Sequence, residues 1–437
     1  MNKIELFKKY SESEVYLEEI NHVYVHKKTG NLYNSVTTAL SLLKSDFEKD
    51  NVIDAIINQY NKFIAWYIKA GGDKSQMKSL LFDYIIYGKL RPYERYNDKK
   101  IYKALTKYSS PNELAQELKI IKAANPNIQL KGFYLNDDDT VMTKEEILNI
   151  WEATNMLSRH YGHMIHESIE LHFLDVQGFS DPLFKMKKIQ GIQEKYSELI
   201  EILEKVGKGN NKDFFSVYNM DLSPIDFMNW IVYKFNQVRP YKNEVIVPEK
   251  VNFSPTYEIC GTTDVEVIFD DINFEIEDHK TNKSFTFENE YGKNLKEPCE
   301  DMPETSFSTY GLQLNIYGHI QEKEFGRQFK GARITYFDRQ KKEFELIELP
   351  IMLDRAEMVL KHFLNFQNTY KERFRVSGIF DGIPENHHNV LTKLLYEDIE
   401  KKRKSGKLDF EDKETNRLHY KEFVKKISDN LSKTIKG

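Results

Sequence analysis

Between residues 261 and 281 (GTTDVEVIFDDINFEIEDHKT) apolar positions recur with a period close to two, which predicts a half-buried β-hairpin. Val265, Val267 and Phe269 make up one run, Asp270, Asp271 and Asn273 supply turn chemistry, and Phe274 and Ile276 restart the alternation. An earlier hairpin is predicted over residues 22–33 around Thr29-Gly30. Ser35 then stands as the N-cap of a helix containing Thr38 to Leu43. Residues 243–251 read as a strand carrying Glu244, and residues 331–338 and 343–350 as a further hairpin.

A 3.6-residue period predicts helices at 52–69, 76–87 and 111–124, interrupted by Gly71-Gly72 and by the 125–139 stretch. A longer pattern starts at Lys144 and runs through Ile147, Trp151, Leu157, Met164, Ile165, Ile169 and Phe173. Helices are expected again at 184–206, from Ser223-Pro224 through Phe235, at 310–325 and at 353–371. Residues 282–308 lack periodicity and predict a long loop, of the kind that in compact domains tends to be functional or disordered. The elements describe an α/β chain in four parts. Residues 1–50 belong with the core, 51–143 form a helical insertion, 144–371 form the core, and 372–437 form a charged helical tail.

Composition narrows the classes. The chain has 437 residues, 40% apolar and 30% charged, enough for a sizeable core. A formal charge of −5 places any basic surface locally rather than globally. Two cysteines, Cys260 and Cys299, argue against a disulfide framework and cannot alone hold a four-cysteine iron–sulfur cluster. With no 18-residue apolar run and no signal-peptide core at the amino terminus, the expectation is a cytoplasmic protein without membrane contact. No G-x-x-x-x-G-K-[ST] sequence occurs, so an ATPase motor is not supported.

The predicted hairpin carries the chemistry. If its strands pair, Asp264 lies close to Asp278 and Lys280, and the last two leave the same strand face. Like charges so placed repel, and a divalent cation between them removes the cost; oxygen ligation suits Mg²⁺ or Mn²⁺. A surface hairpin with solvated charges fits the same spacing. His166 and Glu170 share a helix face, but the run is not HExxH, and a packed or exposed helix histidine remains the alternative. Ser35, Thr37 and Thr38 at a helix start could receive a phosphate or merely cap the helix. KLRPYERYNDKK (89–100) and KKRK (401–404) could contact nucleic acid, with solvated surface as the default for both.

The order of these pieces resembles the RecB-like, phage-type exonuclease branch of the PD-(D/E)XK nuclease superfamily. The pieces are Gly162…His166, Glu244, Gly261-Thr262-Thr263-Asp264, Asp278-His279-Lys280-Thr281 and Gln313…Tyr317, spanning about residues 155–365. The resemblance implies a restriction-endonuclease-like core, a mixed central sheet flanked by helices. It implies one or two Mg²⁺ or Mn²⁺ ions on His166, Asp264, Asp278 and the carbonyl of His279, with Lys280 as the catalytic lysine. Gln313 and Tyr317 would brace the site and touch the DNA backbone, and Glu170 and Glu244 would serve an outer shell or a second cation. Thr263 stands where the motif has proline, and the cysteines of the iron–sulfur variants are missing. The implied activity is DNA hydrolysis, by an exonuclease of phage or mobile-element recombination, replication or repair in the host cytoplasm. DNA is the implied partner, and a phage single-strand-binding or annealing protein a further one. A catalytically degenerate nucleic-acid-binding protein of the same fold, or an interaction protein led by its helical insertion, are the alternatives.

Overall fold

The centre of the chain is a sheet because its strands are apolar on both faces and must be covered twice. The computed structural model describes residues 2–18, 21, 23–45, 47–87, 103–125, 132–206, 216–218, 221–288, 292–404 and 414–436. The basic segment at 89–100 lies outside the described residues.

Helix α1 (Lys3–Ser11) leads into strands β1 (Val15–Glu18), β2 (Val23–His26) and β3 (Leu32–Ser35), an antiparallel meander, and then α2 (Val36–Leu43). Helices α3 (Lys49–Lys69), α4 (Lys74–Tyr87) and α5 (Pro111–Ala124) follow. Next come α6 (Lys144–Gln177), α7 (Pro182–Val206) and α8 (Pro224–Val238). Strands β4 (Val245–Ser254), β5 (Ile259–Ile268) and β6 (Asn273–Lys280) lead to α9 (Ser306–Phe325), β7 (Gln328–Asp338) and β8 (Glu343–Leu349). Helices α10 (Leu353–Val376), α11 (His388–Lys404) and α12 (Glu414–Lys436) close the chain.

The eight strands of the described residues join one mixed sheet in the order β1-β2-β3-β5-β6-β7-β8, with β4 also paired to β5. The β3–β5 and β6–β7 pairs are parallel and the rest antiparallel. On one face Phe274, Ile276, Ile334 and Tyr336 meet the buried residues of α2, α9 and α10. On the other Ile246, Val265, Val267, Phe337 and Phe344 meet α6, α7 and α8. The chain is therefore α/β with a mixed sheet between two helical layers.

Helix α6 spans 34 residues because both ends are specified. Thr143 and Glu146 form a capping box, and Gly178 ends the helix in the left-handed region at φ +74°. Helix α9 begins at Ser306, four residues before the expected Tyr310, because the Thr305 side chain accepts from Ser308 N–H and nucleates the extra turn. Residues 60–135 supply an aromatic-rich core of their own, around Tyr60, Phe63, Leu81 and Phe133. The charged C-terminal helices are not solvated all round: Leu391, Leu395, Tyr420 and Val424 pack with Val23, Val25 and Leu32 of the first hairpin. Among the described residues no helix is long and apolar enough to cross a membrane.

Candidate functional site

Strand β5 has two edges, and they are treated differently. One is covered by β4 from Ile259 to Ile268. On the other, β6 pairs with residues 265–268 and β3 with Ile259 and Cys260. Residues 261–264 fall between these partners, so the sheet opens there. The last β5–β6 pair is Val265 with Glu277, which puts Asp264 and Asp278 opposite each other one step into the opening. The expected approach of Asp264, Asp278 and Lys280 is thus what the strand register produces.

Three neighbours surround the Asp264 carboxylate. The His279 amide N–H donates to its Oδ2 at 2.6 Å, standing in for the missing rung, and His166 Nδ1 lies 3.3 Å from the same oxygen. The third comes from the register of β4: the pairs Pro248–Val265 and Lys250–Thr263 place Glu249 across from Asp264. His166, Glu249 and Asp264 each offer a ligand atom, all within 4.8 Å of one another. Asp278 is buried beside them and forms an ion pair with Lys280, whose ammonium also lies 4.9 Å from the ring centroid of Tyr310.

Two glycines let these elements meet. A Cβ on Gly162 would lie 2.9 Å from Thr281 Oγ1, so the missing side chain lets α6 settle on the end of β6 and deliver His166 one turn later. A Cβ on Gly261 would lie 2.5 Å from the Tyr317 ring, which fills the open stretch of β5 from α9. Gln313 Nε2 donates to Tyr317 Oη at 3.5 Å, a long bond between two buried groups.

The charges do not balance without help. Burial opposes ionisation of Asp264, but His166 and Lys280 outweigh it and hold the carboxyl well below the usual range. Asp278 goes the other way: burial, then the Asp264 charge, push it up against the pull of Lys280. Burial disfavours the Lys280 ammonium too, yet Asp278 and Asp264 more than compensate and keep it charged. Asp278 thus sits between the push of Asp264 and the pull of Lys280 and His166. Glu249 is raised by confinement and by the Asp264 and Glu170 carboxylates, although its side chain is open to solvent. The His279 ring, against Phe235 and Thr335, is held down to about 3 by burial and stays neutral.

An imidazole with clustered carboxylates, more anionic than its neighbours neutralise, is a donor set that fits a hard divalent cation such as Mg²⁺ or Mn²⁺. His166, Asp264 and Glu249 are the residues placed to hold it, with Asp278 adjoining. The contact that the structure gives His279 to this group is its amide N–H.

Glu244 does not belong here. It pairs with Arg239 at 2.6 Å, in a network with Glu277, and precedes Glu249 by five residues, roughly 16 Å of extended strand. The acid that β4 brings to the site is Glu249, which the sequence reading passed over. Pro248 was its signal, because proline inside a strand marks an irregular position, and Glu249 has a left-handed backbone at φ +49°. Glu170 pairs with Lys188 at 2.6 Å and reaches the site only as a neighbour of Glu249. Ser35 caps α2 through Thr38 N–H, and its hydroxyl also bonds Thr37 and Thr38.

Comparison with known protein-family models, with curated proteins and with solved structures returns no match.

Proposed function

We propose that this chain is a metal-dependent nuclease that hydrolyses phosphodiester bonds of DNA. In this reading its sheet is the restriction-endonuclease-like core of the PD-(D/E)XK superfamily, in the RecB-like, phage-type exonuclease branch. The observation that carries it is the meeting of Asp264, Asp278 and Lys280 where β5 and β6 separate, with His166 3.3 Å from Asp264.

Bound there, Mg²⁺ or Mn²⁺ would lower the pKa of water and neutralise the phosphate oxygens. The protein's own groups supply placement and field. His166, Glu249 and Asp264 hold the acidic cradle, and the His279 N–H keeps the Asp264 carboxylate turned toward it. Lys280 stays charged, so it orients a water or stabilises negative charge as it develops and does not remove a proton. Tyr317 and Gln313, buried behind Gly261, keep the opening from closing by further strand pairing.

End-labelled linear, circular and single-stranded DNA incubated with Mg²⁺, Mn²⁺ or EDTA tests this. Cleavage with metal and none in EDTA is expected; loss of linear DNA alone would identify an exonuclease. Intact substrates in every lane, from folded protein, would overturn the reading.

A further inference from the structure

Helix α6 presents one continuous row of side chains toward the opening of the sheet. Thr154, Ser158, Gly162 and His166 follow at intervals of four, the spacing of a helix ridge. His166 ends at the acidic cradle and Gly162 packs on Thr281. Thr154 and Ser158 continue beyond into a separate cavity of about 50 Å³, walled also by Tyr218, Lys283 and Arg339. Lys283 lies just past the end of β6, and Arg339 just past the end of β7, the strand parallel to it.

Arg339 is the unusual member. It is only 5% exposed, yet no carboxylate among the described residues is within ion-pair reach. Its Nη1 donates to Ser158 Oγ at 3.1 Å and Tyr218 Oη at 3.0 Å, and its Nε has no partner. A buried charge normally pairs with an opposite one. The two hydroxyls lie 3.2 Å apart, so one donates to the other, and one hydroxyl proton is left over for an acceptor. The Lys283 amine sits close enough to Arg339 for its ammonium form to be disfavoured, after the larger effect of burial. Arg339, Lys283 and the Ser158–Tyr218 hydroxyl pair thus line one small space. The volume is enough for an oxyanion.

We propose that this cavity holds a non-scissile phosphate of the nucleic-acid strand being cut, on Arg339, Lys283 and the Ser158–Tyr218 hydroxyl pair. Eight residues of helix separate Ser158 from His166, about 12 Å, or the axial length of three to four nucleotides of duplex. The site would thus grip the strand on one side of the cut and fix its register. This rests on the reading of the acidic cluster as a nuclease centre, and the test separates the two.

Binding of a fluorescein-labelled oligonucleotide, single-stranded and duplex, is measured by anisotropy in EDTA across a salt series. Wild type is compared with Lys283→Ala and with Arg339→Lys, which keeps the charge should loss of a buried cation unfold the protein. The dependence of log K on log salt is expected to become shallower by about 1 in Lys283→Ala. A methylphosphonate placed at successive positions should weaken wild type at one position near the cavity and leave Lys283→Ala indifferent there. Arg339→Lys should lose affinity at that same position while its melting temperature stays near wild type. Identical salt slopes and identical methylphosphonate profiles would overturn the proposal, as would absence of oligonucleotide binding. If these binding signatures appear but Mg²⁺ produces no cleavage, the phosphate site stands and the nuclease reading falls. Cleavage with unchanged slopes gives the reverse.

Discussion

Glu249 and Asp264 occupy opposing positions on β4 and β5, and Glu249 adopts a left-handed backbone, φ +49°, to do so. A residue held in that region costs of order 1–3 kcal/mol and persists only where its surroundings impose it. Here the strain brings two carboxylates together, which adds repulsion. Both costs become intelligible if the pair is a ligand set.

Calorimetric titration with Mn²⁺ should therefore distinguish Glu249 from Glu244, the acid just before β4. Glu249→Gln should weaken binding by at least about tenfold, the lower end of what disturbing a metal's surroundings costs. Glu244→Gln should leave Mn²⁺ affinity alone but lower the melting temperature, since Arg239 loses a partner. The opposite pattern would exchange their roles.

Protonation gives a second handle. Burial pulls the His166 pKa down, Asp264 pulls it up more strongly, and the net shift is upward. In metal-free protein the His166–Asp264 pair stabilises below the unfolded value of about 6.5, and that stability is lost as pH rises through the folded value. Metal binding runs the other way, because the ring must shed its proton, so Mn²⁺ affinity should grow up to a pH above about 6.5. Histidine NMR titration of Asp264→Asn should show the His166 pKa fall, because burial then acts with its main counterweight removed. A pKa unchanged by that substitution would separate the two residues.

Gly162→Ala places a methyl group 2.9 Å from Thr281 Oγ1. Overpacking of this kind typically costs about 1–3 kcal/mol. The helix that carries His166 should shift, weakening Mn²⁺ binding as well as stability. Adding Thr281→Ala removes the clashing oxygen, and thermal unfolding of the double variant should recover most of the loss. Additive losses would show that the contact is not what matters.

Lys280→Ala should abolish cleavage while leaving circular dichroism and Mn²⁺ binding near wild type. The lysine pKa lies above its ordinary value, so the pH–rate profile should show no limb near neutrality that Lys280 controls. A neutral-pH limb that vanishes in Lys280→Arg would instead make it a proton carrier.

Arg327 and Glu266 form a buried ion pair two residues along β5 from Asp264. Removing one partner of such a pair typically costs about 3–5 kcal/mol. Arg327→Met should lower the denaturation midpoint by an amount of that order and leave Mn²⁺ affinity unaltered in the folded fraction. An equal loss of affinity would tie that pair to the site.

Period-two alternation in residues 261–281 was enough to place the hairpin, and the spacing of Asp264, Asp278 and Lys280 placed them at its open end. Those are local relationships, which a sequence expresses directly. Glu249 was missed because which acid of β4 faces Asp264 depends on the register between two strands, and alternation does not encode it. Arg339 was read as part of a turn, because nothing near it in sequence tells that Ser158 and Tyr218 will enclose it. The C-terminal helices looked solvated because their charges outnumber a narrow apolar stripe, yet that stripe meets the first hairpin.

That last contact links parts of the chain some four hundred residues apart, for the hairpin of Val23, Val25 and Leu32 is covered by residues as late as Leu431. The same hairpin supplies β3, the neighbour of β5 beside the opening. During synthesis, then, this hairpin waits for some four hundred further residues to emerge before it is sheltered from water. A ribosome that stops before Val390 would release a chain with this apolar seam unsealed, a ready target for proteases and chaperones.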